Sequence, residues 1–484
     1  MNVVPRSVVI IGGGFSGTVL AVQLLRRSPD LYVSVIDPRE RPARGLAYGT
    51  KYDCHLLNVC SADMSAFSDQ PEHFWNWAEK NWAKGKWAKA AGKNADVLLS
   101  QPVHSGSFFP RAFYGDYLAS LLDELTPAQK SRLQWIRDEA VAVQREKDGF
   151  AALRKNGGSL SADVVVFATG NFPPGNLGIP TLAGSRRYVQ QAWSKNALTD
   201  LSAEDEILLV GSGLTSVDMA IALHAKNFGG KIHVLSRHGL LPHCHNRQPA
   251  WPRFWDEHSP RTIRGLLQLI REHVDVATKS GASWHAVMDS LRPLIQQIWR
   301  SLPAKEHRRF LRHARALWEI HRHRIAPEIS AIFRGMIASG QIQLHAGRLT
   351  HYSEDENSAQ VIFRPRSSND EKILRVARII NCSGPELNFR KIESALLQDL
   401  FAQGLIRQDS LGLGLDVDCN GALLDASGSA SHRLFALGPA RKGSLWETTA
   451  VPDLRCQATD LADHLLRNSL HQQGSQHQAT MAIQ

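Results

Sequence analysis

Two stretches of this chain carry glycines spaced to cradle a pyrophosphate. The first is Gly12, Gly14 and Gly17, with Phe15 and Ser16 before the last. In a Gly-x-Gly-x-x-Gly turn the first glycine permits a tight bend, and the second lets a phosphate approach the backbone. The third lets the following helix pack closely on the strand, and the helix N-terminus faces the anion. Asp37 stands twenty residues after Gly17, where a carboxylate can accept from a ribose hydroxyl. The second stretch is Gly211, Ser212, Gly213, Leu214, Thr215 and Ser216. Ser216 replaces the third glycine, which loosens the helix packing only slightly. Ser236 and Arg237 stand where the first stretch has Asp37. A carboxylate there would repel a 2′-phosphate, whereas Arg237 can pair with it and Ser236 can donate to it. The first stretch is expected to bind a nucleotide with a free ribose hydroxyl, and the second NADPH in preference to NADH.

The surrounding patterns supply the elements that such turns need. Val8, Val9, Ile10 and Ile11 lead into Gly12, and residues 18–25 follow with helical spacing. Residues 31–36 and 231–235 predict the strands that end at Asp37 and Ser236, and residues 206–210 the strand before Gly211. An apolar strand at 162–167 ends in Ala168, Thr169 and Gly170. A tight turn at the carboxyl end of a buried parallel strand is where α/β sheets hold ligands. Residues 376–381 lead into Ser383 and Gly384 in the same manner, and a last short strand leads into Gly438 and Pro439. Residues 75–93, rich in Trp and Lys, read as a surface helix and loop, and residues 135–152 as a β-meander. One such site alone suggests a dehydrogenase. Two suggest FAD in the first and the nicotinamide that reduces it in the second.

The expected fold class is α/β: two Rossmann-like dinucleotide-binding domains with a helical insertion. Residues 1–200 would form the first segment of the FAD domain, 201–375 the NADPH domain, and 376–468 the second FAD segment. The insertion, at about 251–340, would help to shape a substrate pocket. The Gln-, His- and Ser-rich tail at 469–484 is expected to be disordered.

Composition narrows the classes further. No apolar run approaches the ~18 residues of a membrane span. The first strand begins within a few residues of Met1, which leaves no room for a signal peptide, so a cytoplasmic location is expected. The six cysteines contain no CxxC pair, which argues against a disulfide framework and against the paired cysteines of a disulfide reductase. The net charge of +10 is read as a solvated basic face rather than a nucleic-acid surface, since no RNA motif or zinc finger accompanies it. His243, Cys244 and His245 lack a second ligand pair and are read as polar loop residues, so no metal site is expected. Asp218 is read as a charge complementing the helix dipole.

The chain resembles the two-dinucleotide-binding-domain flavoproteins, and within them the FAD/NAD(P)-binding oxidoreductases of the YdhS type. The matching stretches include residues 12–17, 45–50 with 57–59, Met64 and Ser65, 109–111 with Tyr114 and Gly115, 211–215, and 236–242. Trp318 with 321–324, and Gly438 and Pro439 with Trp446, Glu447 and Pro452, complete the set. The resemblance implies FAD, NADPH and flavin redox chemistry. A more distant similarity is to the flavin monooxygenases that oxygenate nitrogen or sulfur. Asn58, followed by Met64, Phe67, Ser68, Asp69 and Pro71, looks like their segment beside the flavin ring. That similarity implies that Asn58 contacts the reactive edge of the flavin and the nicotinamide, as the catalytic residue. The Baeyer–Villiger signature is absent near 185–195. Trp446 and Glu447 either touch the cofactor or cap and pack the final helix. Arg322 and Arg324 are expected to hold an anionic part of the substrate, since guanidinium matches carboxylate geometry.

The expected function is an NADPH-dependent FAD monooxygenase that uses O₂ to N-hydroxylate a small amine or amino-acid-like molecule through a C4a-(hydro)peroxyflavin. The alternatives are a reductase or dehydrogenase without oxygenation, and a cofactor-binding protein that docks a partner through its basic insertion. Nothing in the sequence indicates an oligomeric state.

Overall fold

The computed structural model describes residues 5–84, 87, 103–182 and 184–481, with side chains described to residue 467. Its strands are β1 Ser7–Ile11, β2 Tyr32–Ile36, β3 Leu133–Ile136, β4 Ala140–Arg145, β5 Phe150–Arg154, β6 Ser159–Ala162, β7 Val164–Phe167 and β8 Tyr188–Val189. They continue with β9 Ile207–Val210, β10 Ile232–Ser236, β11 Ile342–Glu354, β12 Ala359–Pro365, β13 Lys372–Val376, β14 Arg378–Asn381, β15 Ala422–Leu424 and β16 Ala430–Ala436. One sheet has the order β15-β16-β7-β1-β2-β3, and another β13-β12-β11-β10-β9-β14-β8. A small antiparallel sheet, β4-β5-β6, stands beside the first.

Each large sheet is built on a parallel core. β1 lies between β2 and β7, with Ile11 opposite Ile36 and Phe167. β9 lies between β10 and β14, with Val210 opposite Leu235 and Asn381. Strands buried on both faces read as continuous apolar runs, and β1, β7 and β9 do so. The helix Phe15–Arg27 packs on the first sheet through Val19, Leu20, Val22 and Leu24, and the final helix packs beside it. The opposite face of that sheet is covered by the helix Ala395–Ala402, through Leu396, Leu397 and Leu400. Among the described residues no helix is long and apolar enough to cross a membrane.

Several elements lie elsewhere than their sequence pattern suggests. β14 hydrogen-bonds β9, so the strand at 376–381 completes the second sheet and does not open the return to the first. β8 also joins the second sheet, although it falls before residue 201. The helix Pro327–Ala338 packs on the helix Leu214–Ala225, and is the crossover between β10 and β11 rather than part of an added helical unit. The meander starts later than expected: β3 pairs with β2 in the main sheet, and the antiparallel trio spans 140–162. The helix His73–Trp82 is amphipathic: Asn76, Glu79 and Lys80 are exposed, as expected of a surface helix, while its other face is buried. Phe74 is fully buried, and Trp77 and Trp82 pack tilted and edge-on against Phe113, with ring centroids at 4.9 and 5.0 Å. Most of the remainder of 75–93 lies outside the described residues. The final helix, Val451–Met481, runs into the segment where composition predicts disorder, because Gln, Ala and Met favour helix.

The added helices, from Ile263–Lys279 to Arg315–Arg322, form their own apolar cluster. That cluster reaches the returning chain through Leu413 and Trp446, which fixes the insertion over the end of the first sheet.

Candidate functional site

The parallel register brings three turns together at the carboxyl ends of β1, β7 and β16. Gly12 follows β1 with φ +109°, and a Cβ there would stand 2.2 Å from the Ala168 carbonyl oxygen. A Cβ on Gly17 would stand 1.9 Å from the Gly12 carbonyl, so only hydrogen fits between helix and strand. Gly14 caps the helix with no side-chain hydrogen bond and no acid in the first turn, which leaves the first amides for an anion. Phe15 and Ser16 are buried, Phe15 in the core and Ser16 beside Gly438. Gly438, with φ +81°, is held on both sides: its amide donates to Gln457 Oε1 at 3.1 Å and its carbonyl accepts from Thr448 Oγ1 at 2.7 Å. Pro439 is buried, while Thr169 and Gly170 are partly exposed beside Ala168.

Asp37 is bonded within its own turn. Its Oδ2 accepts from the Gly13 amide at 2.6 Å and from Arg39 Nη1 at 2.9 Å, and its Oδ1 accepts from the Arg39 amide at 2.8 Å. The carboxylate is 2% exposed and closes the turn, so one lone pair on Oδ1 is left for a further donor.

The second turn repeats this geometry. Gly211 has φ +116°, and a Cβ there would stand 2.3 Å from the carbonyl oxygen of Cys382. Cys382, Ser383 and Gly384 after β14 therefore match Ala168, Thr169 and Gly170 after β7. Gly213 caps the next helix without a side-chain bond, Leu214 and Thr215 are partly exposed, and Ser216 is buried with a hydroxyl that has no partner among the described residues. Ser236 Oγ accepts from Ser212 Oγ at 2.8 Å and from the Gly239 amide at 3.0 Å. Arg237 is exposed. His238 beside it accepts from Arg366 Nη1 at 3.0 Å. Burial, together with Arg366, Arg237 and Arg348, holds the His238 pKa down, so three guanidinium groups converge on this corner. Sequence spacing points to Arg237 alone. Arg348 lies on β11 and Arg366 just past the end of β12, and neither carries a local signal.

The loop carrying Asn58 is bound from both units. Leu57 donates to the Phe109 carbonyl at 2.8 Å, and the Met64 carbonyl accepts from Tyr114 Oη at 2.8 Å. Arg111 donates from Nε to the Leu56 carbonyl at 2.9 Å. It then grips Asp218 with two bonds of 2.7 and 3.0 Å. Asp218 is therefore the anchor of an ion pair between the two units, not only a helix-start charge. His55 Nε2 bonds the Asp218 carbonyl at 3.0 Å, and burial lowers the His55 pKa to about 4. His245 Nε2 donates to the Asn58 carbonyl at 2.8 Å, and burial lowers its pKa to about 4 as well. The side-chain amide of Asn58 has no partner among the described residues, and Met64 is buried in the core.

Arg322 and Arg324 diverge. Arg324 is buried, pairs with Asp289 at 3.0 Å and lies over Trp284 at 5.1 Å. Arg322 faces Glu447 at 3.8 Å, and its Nε and Nη2 have no hydrogen-bond partner among the described residues. Glu447 is buried and accepts from Trp318 Nε1 at 3.0 Å. Burial pushes Glu447 up, but Arg322, His323, the Trp318 bond and Lys442 together hold it below the usual carboxylate range. Arg292 Nη2, Gln296 Oε1 and Asp453 Oδ2 are also buried and unpartnered among the described residues. Burial and the Glu447 carboxylate push Asp453 up to about 6, against Arg322, Arg292 and Arg455. Arg292 reaches Asp63, five residues beyond Asn58, at 4.0 Å. A polar cluster thus lies between the insertion and the Asn58 loop. Trp446 itself packs away from it, against Trp299 at 4.9 Å and Phe310 at 4.8 Å.

Residues 9–172 match the FAD-NAD(P)-binding family model. Across the whole chain, the fold is that of the two-dinucleotide-binding-domain flavoproteins. Ornithine hydroxylase (PvdA) from Pseudomonas aeruginosa, in its reduced form, is 14% identical with a TM-score of 0.64, covering 96% of this chain and 100% of its own. The ornithine N-hydroxylase KtzI of Kutzneria sp. 744, solved with reduced FAD, NADP+ and L-ornithine, is 12% identical with a TM-score of 0.62, over 96% and 99%. Bacillithiol disulfide reductase Bdr from Staphylococcus aureus is 12% identical with a TM-score of 0.55, over 95% and 98%. No curated protein matches the chain. The glycine turns, the uncapped helix starts and the guanidinium corner fit FAD and NAD(P).

Proposed function

We propose that the chain is an FAD- and NADPH-dependent monooxygenase that N-hydroxylates a small amine or amino-acid-like substrate, akin to the YdhS-type oxidoreductases. The observation that carries this reading is the double tether of the Asn58 loop. Arg111 joins that loop to the NADPH-side helix, and Arg292 approaches it from the substrate-side insertion. FAD, when bound, supplies the redox and oxygen chemistry. The first glycine turn, Ala168, Thr169, Gly170, Gly438 and Pro439 hold its pyrophosphate and ribose, with Asp37 accepting through its remaining lone pair. The second turn and the corner of Ser236, Arg237, Arg348 and Arg366 hold NADPH. Asn58 offers its free side-chain amide to the flavin edge.

On the substrate side, Arg322 and Arg292 carry unpartnered N–H groups for an anionic group, and Glu447 and Asp453 lie beside them as acceptors for an amine. Arg324 supports the wall through Asp289 and Trp284. The six cysteines contain no CxxC pair, which favours oxygenation over a reductase that works through paired redox cysteines. Similarity in fold to monooxygenases of amino acids supports the same reading.

The experiment is a paired substitution read by steady-state kinetics. Arg322→Ala should raise KM for the amine substrate and, because it removes the guanidinium facing the buried Glu447, lower thermal stability as well. Arg324→Ala should lower thermal stability first. If both leave KM and turnover unchanged, the assignment of this cluster to substrate is wrong.

A further inference from the structure

His243, Cys244 and His245 lie on the stretch that leaves the second sheet after β10, and the cofactor assignment gives them no part. The structure pins the backbone of this stretch to the insertion. Cys244 forms an isolated parallel bridge with Ile325: the His245 amide donates to the Ile325 carbonyl at 2.9 Å, and the Ile325 amide to the His243 carbonyl at 2.9 Å. The His243 amide donates to the Ile320 carbonyl at 3.1 Å. His285 Nε2 donates to the Cys244 carbonyl at 3.1 Å, and the His285 ring stacks on Trp284 at 3.7 Å.

From this anchored stretch the side chain of His245 crosses to the loop of Asn58. Its Nε2 lies 2.8 Å from the Asn58 carbonyl, and its ring packs against Phe108 at 5.0 Å. A carbonyl only accepts, so Nε2 carries the proton. Burial, helped by Arg324 and Arg292, holds the His245 pKa at about 4 against the Asn58 bond and Asp289. The ring is therefore neutral near pH 7 and adds no charge beside those guanidinium groups. No other donor reaches the Asn58 carbonyl among the described residues. The preceding peptide plane is already fixed, because the Leu57 amide bonds the Phe109 carbonyl and the Leu56 carbonyl bonds Arg111. His245 fixes the plane that follows Asn58. The dihedrals of Leu57 and Asn58 are then confined between two held planes, and the direction of the Asn58 side chain with them.

We propose that His245 is a positioning residue, which holds the Asn58 carbonyl so that the Asn58 side-chain amide keeps one direction toward the flavin. The proposal rests on the reading that Asn58 meets the flavin edge. His245 acts wholly through Asn58. The same bond ties the Asn58 loop to a chain segment that begins at the coenzyme corner, nine residues earlier at Ser236.

The experiment compares the FAD-loaded wild type with His245→Ala, Asn58→Ala and the double variant, by two readings. The first is the visible absorbance of the oxidised flavin, which needs no coenzyme. His245→Ala should shift the flavin bands in the same direction as Asn58→Ala, and the double variant should match Asn58→Ala. The second is anaerobic flavin reduction at saturating NADPH. His245→Ala should slow it about tenfold, with the Kd for NADPH changed by less than about twofold, because the loss is one of orientation. The double variant should be no slower than Asn58→Ala, since residues that act as one unit are not additive. His245→Gln, which presents an amide donor, should recover most of both readings. His245→Leu replaces the alanine variant if that variant does not retain FAD. Unshifted bands with an unchanged rate in His245→Ala, losses that multiply in the double variant, or a glutamine variant as slow as alanine overturns the proposal. Bands unmoved by Asn58→Ala would take Asn58 from the flavin edge and the proposal with it. Matching band shifts in a protein that NADPH does not reduce would support His245 and contradict the two-cofactor monooxygenase. Oxygenation in which His245→Ala equals wild type would do the reverse.

Discussion

Gly12 lies beneath the carbonyl of Ala168, and Gly211 lies in the same way beneath the carbonyl of Cys382. Both glycines have φ above +100°, both turns follow the middle strand of a parallel trio, and both helices start without a side-chain cap. The two regions part at the third glycine, where Ser216 stands in place of Gly17, and at the next strand end. There the first has a buried Asp37 that is largely consumed by its own turn, and the second has an exposed Arg237 with Arg348 and Arg366 nearby. On the proposed reading, the backbone geometry makes each turn a pyrophosphate cradle, and the charge at one strand end decides which nucleotide each cradle holds.

The largest effects should come from the shared geometry. Gly12→Val would place a branched side chain against the Ala168 carbonyl at a left-handed φ. The clash and strain together should cost several kcal/mol and abolish FAD binding, read as flavin absorbance of the purified protein. Gly211→Val should retain FAD while losing reduction by NADPH. Loss of FAD from the second variant alone would reverse the assignment of the two turns.

Arg111→Ala comes next, because it breaks the tie between the regions. It leaves Asp218 buried without its guanidinium partner, and removing one member of such a pair typically costs about 3–5 kcal/mol. A melting temperature lowered by only a degree or two would show that the units do not depend on this pair.

Arg237→Ala isolates the difference between the turns. A charge-assisted bond is worth ~1.5–3 kcal/mol, or about tenfold to a hundredfold in affinity. NADPH should weaken by that factor and NADH hardly at all, with Arg366→Ala showing a smaller shift in the same direction. Equal loss for both coenzymes would mean that the corner does not read the 2′-phosphate.

The last effect concerns pH. Asp453 has a raised carboxyl in the fold, about 6 against an ordinary 3.8. The folded state therefore binds its proton more tightly than the unfolded chain, and stability should fall as pH rises through about 4 to 6. Asp453→Asn should flatten that part of the stability profile. An unchanged slope would show that Asp453 is not held protonated by its surroundings.

Much of this was legible in the sequence where the signal is local. The glycine spacings, the apolar strands and the residue at the next strand end, Asp37 or Arg237, each lie within about thirty residues of their own turn, and a turn must satisfy its own sterics. Strand address was not legible. β7 and β14 both read as apolar runs ending in a glycine turn, and only pairing shows that they belong to different sheets. The helix Pro327–Ala338 likewise has the pattern of any amphipathic helix, and its contact with the helix Leu214–Ala225 is what makes it a crossover. Arg322 and Arg324 looked equivalent as neighbours in a basic run. Asp289 and Glu447, far away in sequence, separate their roles. The places of Arg292 and Asp453 depend wholly on such long-range packing.

The most direct test of the two-cofactor monooxygenase is to reduce the protein with NADPH, mix it rapidly with O₂, and follow flavin absorbance alongside peroxide release. The account expects slow flavin reoxidation, with peroxide lagging far behind oxygen uptake and replaced by hydroxylated amine when substrate is present. Immediate reoxidation with stoichiometric peroxide, unchanged by any amine, would contradict it.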